Sequence, residues 1–508
     1  MKHTKKLLIL ALAILLSLLP LASCSAKDGE NYSPMEDALA DIQNSASGVQ
    51  KPEEEAEDGA EKSENGFVEN PFIATAENPV STFSADVDTA SYSYFRKLVA
   101  QGYTLDRLQA NGASFRTEEF LNYFKYDASR PNEGELFGIT ADVINTPWSN
   151  ATVLMRLTLQ AEDAVAYEGN NLVFLIDVSG SMNQADKLPL LQKTFSHLVD
   201  HLTERDVISI VTYSGKEEGV LEGCPGNERQ RILDAIKSLS AYGSTNGEAG
   251  LNKAYQLAEE YRITGGNNRI IMASDGDLNV GISSESELTA YISEKRAAGV
   301  YLSVLGFGTG NYRDGNMEAL ADHGNGVYYY IDGESEAEKV LGSDIFSTLY
   351  TVAEDVKLQI TFDPQYVASY RLIGYENRLL NQEDFEDDTK DAGEVGAGHQ
   401  VTVFYEMTLA EGARATTSPW LKLAVRYKDP GVTESKLNEY SIGAGDLKTE
   451  LDNDLRFMVS ILETTMLLHQ SKYTATTLPA VLENLQSLDL TAYPDRAEFR
   501  ALIEQLVK

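Results

Sequence analysis

Two cysteines in 508 residues leave room for at most one intrachain disulfide, so the folded body must be held by packed cores and not by a disulfide framework. Bases are also in deficit: 42 Lys and Arg stand against 78 Asp and Glu, a formal charge of −36. Phosphate would be repelled by such a surface, which argues against a nucleic-acid partner. Six histidines occur, and one of them, His3, lies in the apolar leader, so a Ser-His-Asp triad has few recognisable parts. There is no G-x-x-x-x-G-K-[ST] phosphate loop, no H-E-x-x-H and no G-x-S-x-G elbow. These absences point away from an enzyme and towards a binding or assembly role.

What is present begins with an address. Lys2, Lys5 and Lys6 precede the apolar run Leu7–Leu21, followed by Ala22 and Ser23. A basic start, an apolar segment of about fifteen residues and small residues at its end describe a secretory signal, not a spanning helix. Leu21-Ala22-Ser23-Cys24 resembles a bacterial lipobox. That resemblance implies cleavage after residue 23, a lipid on Cys24 and an extracytoplasmic protein anchored to the cell membrane. Residues 24–66 follow as an acidic, apolar-poor stretch with Glu53-Glu54-Glu55-Ala56-Glu57-Asp58 at its centre. Such a segment cannot bury enough surface to offset its ordering entropy and reads as a disordered linker. Removal of the leader makes Cys224 the only cysteine besides the lipidated one. In the turn-like Gly223-Cys224-Pro225-Gly226 it reads as a loop thiol.

Order should begin near Phe67, with residues 67–135 forming an N-terminal flanking region. Tyr92, Phe95, Leu98 and Val99 recur at helical spacing and Gly102 stops them; a second short helix is expected over Thr117–Phe124. Residues 136–165 alternate apolar and polar positions around Pro147-Trp148-Ser149-Asn150, the pattern of two antiparallel strands. From residue 170 to 350 the pattern becomes strand, helix, strand, with strands at Leu172–Ile176, Val207–Tyr213, Arg269–Ala273, Tyr301–Phe307 and Val327–Ile331. That alternation implies an α/β domain built on a doubly wound, mostly parallel sheet. Residues 351–440 return to strand patterns, joined by the acidic, Gly-rich loop Asn381–Gly398, and residues 441–508 read as closing helices. The expected architecture is therefore an α/β domain inserted in an antiparallel β-sandwich-like domain, with short helical segments at both ends.

The chemistry concentrates where the first α/β strand ends. Asn171–Met182 reads NLVFLIDVSGSM, so Asp177, Ser179 and Ser181 emerge from the carboxyl end of a buried strand, where open α/β sheets place ligands. An acid and two hydroxyls at alternate positions are hard oxygen donors suited to Mg²⁺, Mn²⁺ or Ca²⁺. Gly243-Ser244-Thr245-Asn246-Gly247 precedes a helix and Ser274-Asp275-Gly276-Asp277 follows a strand, so both loops should share that edge. With these elements residues 170–350 resemble the von Willebrand factor type A (VWA) domain and its metal-ion-dependent adhesion site. The resemblance implies that Asp177, Ser179, Ser181, Thr245 and Asp275 hold the cation directly or through water, and that a partner's carboxylate completes the sphere. Only two of the five are acidic, so they do no more than balance a dication, which can still attract an external anion, whereas five acids would quench it. Flanks such as Phe83–Tyr92, Tyr370–Arg378 and Asp391–His399 resemble a bacterial subfamily of exported A-domain lipoproteins. The expectation is a cell-envelope protein that binds a protein or polymer ligand through the cation. The alternatives are an assembly subunit in which metal only stabilises and a hydrolase using Glu394 and His399.

Other motifs fit less well. Asp86-Val87-Asp88-Thr89 spells the nucleophile signature of haloacid-dehalogenase phosphatases, but the βαβ array that reading needs does not follow. An EF-hand starting at Asp275 would place Val280 at the glycine position and Ser286 at the bidentate Glu position. His197 and His201, spaced i, i+4, could hold zinc, but no third ligand is evident and an exposed polar pair explains them.

Overall fold

The segment Asn170–Asp177 is buried along its whole length. A continuous apolar run has that fate when both faces of a parallel sheet are covered. The computed structural model describes residues 67–163, 168–214, 216–243, 247–276, 285–308, 314–448 and 450–508. The leader, Cys24 and the acidic linker lie outside the described residues. Strands are numbered along the chain: β1 (Ile73–Ala74), β2 (Val80–Ser84), β3 (Phe137–Asn145), β4 (Val153–Ala161), β5 (Asn170–Asp177), β6 (Val207–Ser214), β7 (Lys216–Pro225) and β8 (Asn267–Ser274). They continue with β9 (Tyr301–Phe307), β10 (Tyr328–Ile331), β11 (Thr351–Phe362), β12 (Val367–Ile373), β13 (Gly393–Gly396), β14 (Gln400–Leu409), β15 (Pro419–Lys428) and β16 (Lys436–Gly443).

The central sheet runs β10-β9-β8-β5-β6-β7. All its pairings are parallel except that of β6 with β7. From β5 the chain crosses to β6 on one side and later returns to β8 on the other, so the topological switch point lies between β5 and β8. One face of β5 is covered by the helix Leu188–Val199, whose Phe195 ring stacks on Phe174 at 4.2 Å. On the other face Val173 and Leu175 pack with Leu251, Ala254 and Tyr255 of the helix Gly247–Glu260. Each of these side chains contributes roughly 1.5–3 kcal/mol by leaving water.

Two antiparallel sheets flank this domain, and each draws on chain from both sides of it. The first runs β1-β12-β14-β4-β3, with Leu157 of β4 opposite Val403 of β14. The second runs β13-β11-β15-β16, with β2 also paired to β11. They meet where Tyr370 of β12 stacks on Phe362 of β11 at 4.0 Å, and where the Tyr405 hydroxyl meets Ser81 Oγ at 2.8 Å. A separate aromatic core joins the two ends of the described chain: Phe124 lies 4.9 Å from Phe457, and Phe457 lies 5.7 Å from Phe499. The architecture is the expected one, a VWA-like α/β fold flanked by antiparallel sheets and helices.

Several local expectations need correction. Cys224 is not in a free loop but in β7, fully buried against the sheet. The Gly-rich loop Asn381–Gly398 contains β13, and both β16 and the helix Leu478–Gln486 were not expected as elements. β7 and β16 are edge strands of their sheets, so neither needs the regular apolar alternation by which a half-buried strand is read.

Candidate metal centre

The carboxyl ends of β5 and β8 are adjacent and in register, with Ile176 opposite Ala273. Asp177 and Asp275 therefore leave neighbouring strands at the switch point, the crevice where open α/β sheets bind ligands. Both are buried. Asp177 Oδ1 accepts the Ser179 N–H at 2.8 Å, which closes the loop into a tight turn and fixes the carboxylate. Ser179 Oγ and Ser181 Oγ lie 2.9 Å apart, and Ser181 is partly exposed. Adjacent ligands of an octahedral cation bound at 2.0–2.1 Å are also about 2.9 Å apart, so the two hydroxyls have the spacing of neighbouring coordination positions. A rigid acid beside two such hydroxyls is an oxygen donor set that fits Mg²⁺ or Mn²⁺.

A third loop is held against the first by backbone hydrogen bonds. The Tyr242 N–H donates to the Val178 carbonyl at 2.7 Å, and the Gly180 N–H donates to the Gly243 carbonyl at 3.2 Å. Gly243 has φ +78°, and a Cβ there would stand 2.7 Å from Ser214 Oγ, so only glycine suits this close approach. Thr245, two residues further on, lies outside the described residues, as does Asp277.

The sequence offered no sign of one participant. Lys187 is buried in front of the helix Leu188–Val199, and its Nζ donates to Asp275 Oδ2 at 2.7 Å. A lone lysine ending the polar link Asn183-Gln184-Ala185-Asp186 reads as solvated until the β9 exit is seen to cover it.

The remaining candidates do not form competing sites. Asp86, Asp88 and Glu318 place carboxylate oxygens within 4.8 Å of one another. The space among them is taken by the Arg378 guanidinium, which reaches Asp86 at 3.2 Å, Glu318 at 2.8 Å, Asp322 at 2.6 Å and Asp88 at 3.6 Å. Burial, then the neighbouring Asp86, holds the Asp88 carboxyl well above its ordinary range. The motif that spelled a phosphatase nucleophile is thus one side of an ion-pair junction. His399 Nδ1 accepts the Gly396 N–H at 3.2 Å, and burial pushes its imidazole down to about 3, so it is a neutral acceptor inside a bend. Glu394 is buried among Asp391, Asp355, Asp322 and Glu354, whereas His399 faces Lys125, Asp344 and Lys339. The two do not share surroundings as an acid/base pair would. His197 and His201 line an open cleft of about 490 Å³ with Asp200, Glu338 and Asp495. Among the described residues, no third donor comes close enough to the two imidazoles to complete a cluster.

Comparison with known proteins agrees with this layout. A model of the von Willebrand factor type A domain matches residues 171–343, one described as von Willebrand factor matches residues 60–156, and one described as the C-terminal part of uncharacterized protein YfbK matches residues 347–508. The uncharacterized protein YfbK of Escherichia coli (strain K12) is 39% identical over 472 residues, covering 86% of this chain and 80% of that one. Inter-alpha-trypsin inhibitor heavy chain H3 of Homo sapiens is 29% identical over 214 residues, 40% of this chain but only 24% of that one. Among solved structures, a von Willebrand factor type A protein from Catenulispora acidiphila aligns with 65% of this chain and 77% of its own, at 16% identity and a TM-score of 0.40.

Proposed function

Because the chain belongs to the YfbK family of VWA-domain proteins, we propose that it captures a protein or polymer partner through a divalent cation held at the switch-point edge of its α/β domain. Family membership supports a protein-interaction or adhesion role in general terms. The finer reading is that Asp177, Ser179, Ser181, Thr245 and Asp275 hold Mg²⁺, or Mn²⁺ or Ca²⁺, and that a carboxylate from the partner completes the coordination. The observation that carries it is the 2.9 Å spacing of the two serine hydroxyls beside an acid already fixed by its own loop. Asp177 and Asp275 together only balance a bound dication, and Lys187 beside Asp275 leaves the site positive for an external carboxylate to neutralise. The protein's own residues orient the donors and keep the acid count low. The lipobox-like Leu21–Cys24 supports a second element of the proposal, that a lipid on Cys24 tethers the protein to the membrane on its extracytoplasmic side.

The test is a pull-down from native cell envelope with wild-type and Asp177→Ala protein, each in Mg²⁺ and in EDTA. Partner capture by wild-type protein in Mg²⁺ alone is the expected result. Capture that survives both EDTA and Asp177→Ala would overturn the proposal and leave the metal, if bound, a stabilising role only.

A further inference from the structure

We propose that Lys187 is a built-in counter-ion of the metal centre, which neutralises Asp275 in the metal-free domain and keeps the affinity for a bare dication low until a partner's carboxylate joins. This rests on the cation-site reading above. The side chains of Lys187 and Asp275 are 4% and 0% exposed, and their N–O distance is 2.7 Å. A lysine is seldom buried so deeply unless it is paired, so the contact is part of the folded domain and not a surface encounter.

The position of the ammonium is set from three directions. Lys187 precedes the helix Leu188–Val199, and its carbonyl accepts the Leu191 N–H of that helix's first turn at 2.8 Å. Its own N–H donates to the Gln184 carbonyl at 3.0 Å, which ties it to the loop that carries Ser179 and Ser181. Its stem runs over Gly308 at the exit of β9, where φ is +74° and an added Cβ would meet Lys187 Cε at 2.4 Å and Cγ at 3.0 Å. Glycine at that point leaves the channel through which the lysine reaches Asp275.

The consequence is electrostatic. Asp177, Asp275 and Lys187 together carry one net negative charge. A dication would bring the total to one positive, and a carboxylate from outside would bring it to zero. The bare cation must enter beside a fixed positive charge in a poorly solvated place, which lowers its affinity by on the order of tenfold or more. The incoming carboxylate meets that same excess charge, so cation and partner strengthen each other by one common factor. Lys187 thus makes the edge a site that is loaded jointly, not one that stores a cation.

The experiment measures Mn²⁺ binding to the full chain by calorimetry, and by electron paramagnetic resonance of the free ion, for wild type, K187M, K187Q, K187R and D177A. K187M is expected to bind Mn²⁺ at least about tenfold more tightly than wild type, and K187R to remain within about threefold of it. Metal-free K187M should melt lower than wild type, and Mn²⁺ should restore it. If K187M does not fold, K187Q, which keeps a hydrogen-bond donor without the charge, carries the comparison. Equal or weaker Mn²⁺ binding by the uncharged variants, with wild type binding and D177A not, overturns the role of Lys187 alone. Failure of wild type and of both uncharged variants alike to bind Mn²⁺ would instead overturn the cation site itself.

Discussion

Two groups of carboxylates lie on either side of the same α/β domain, and they have opposite fates. At the switch-point edge, Asp177 and Asp275 share their surroundings with two neutral hydroxyls and one lysine. At the junction, Asp86, Asp88, Glu318 and Asp322 converge on Arg378, and Arg116 adds a second guanidinium 2.6 Å from Glu318. The junction holds more acid, yet its centre is filled by a planar cation whose donors match the carboxylates. The edge holds less acid but sets two hydroxyl oxygens 2.9 Å apart beside it. The count of acids therefore does not single out the candidate cation site; the groups that stand among them do. The origins differ as well. The junction ties the N-terminal flank, the helix Asp314–His323 and the segment after β12 into one body, whereas the edge is built within the α/β domain alone.

Removing the guanidinium breaks this contrast most severely. Arg378→Met would leave three buried carboxylates and the partly exposed Asp322 without their shared cation, and a loss of about 3–5 kcal/mol is expected in urea denaturation at pH 7. A loss below about 1 kcal/mol would show that the junction is not a clamp. Asp88 has a folded-state pKa raised by burial, so its protonation favours the folded state. The variant should therefore regain stability as pH falls from neutral towards the ordinary carboxylate range, and urea midpoints at several pH values check this.

The next effect is expected at Glu376, two residues before Arg378 in the chain. Burial, then the neighbouring Glu118, raises Glu376 to about 8. Stability linked to this group is present below the unfolded value near 4.5 and is lost as pH rises through about 8. Glu376→Gln should therefore be more stable than wild type at pH 8, by up to about 4 kcal/mol, and indistinguishable from it at pH 4. A constant difference across that window would contradict the assignment.

The smallest effect on stability is expected at the edge. Ser181→Ala removes a partly exposed hydroxyl and should change unfolding free energy by less than about 0.5 kcal/mol. It should nevertheless weaken Mn²⁺ binding at least tenfold in calorimetric titration, roughly the loss of one coordinating oxygen. A variant that loses stability but keeps the ion would reverse the roles assigned to the two regions.

Much of the edge was legible in the chain. Leu172–Ile176 is apolar throughout and ends in an acid with hydroxyls two and four residues on, and each of those facts is local. Leu188, Leu191, Phe195 and Leu198 of the helix Leu188–Val199 recur at helical spacing and are all buried. Lys187 was not legible, because its partner lies 88 residues away and its burial depends on the exit of β9. Arg378 reads in the sequence only as part of a flank, because Asp86, which it meets, lies 292 residues away. Edge strands were missed for another reason: β16 exposes Leu437 to solvent, so its apolar residues do not report which face is covered.

By itself the sequence determined the order of strands and helices, the buried parallel strand and the donors that follow it, because periodicity and short spacings act through neighbouring residues. The tertiary structure decided which acids surround a guanidinium and which stand beside hydroxyls and a lysine. Ion pairs between distant residues gain strength only when folding brings them within a few ångströms and removes them from water. On that difference rests the proposal that Asp177 and its serines, and not the larger cluster around Arg378, receive a cation and a partner.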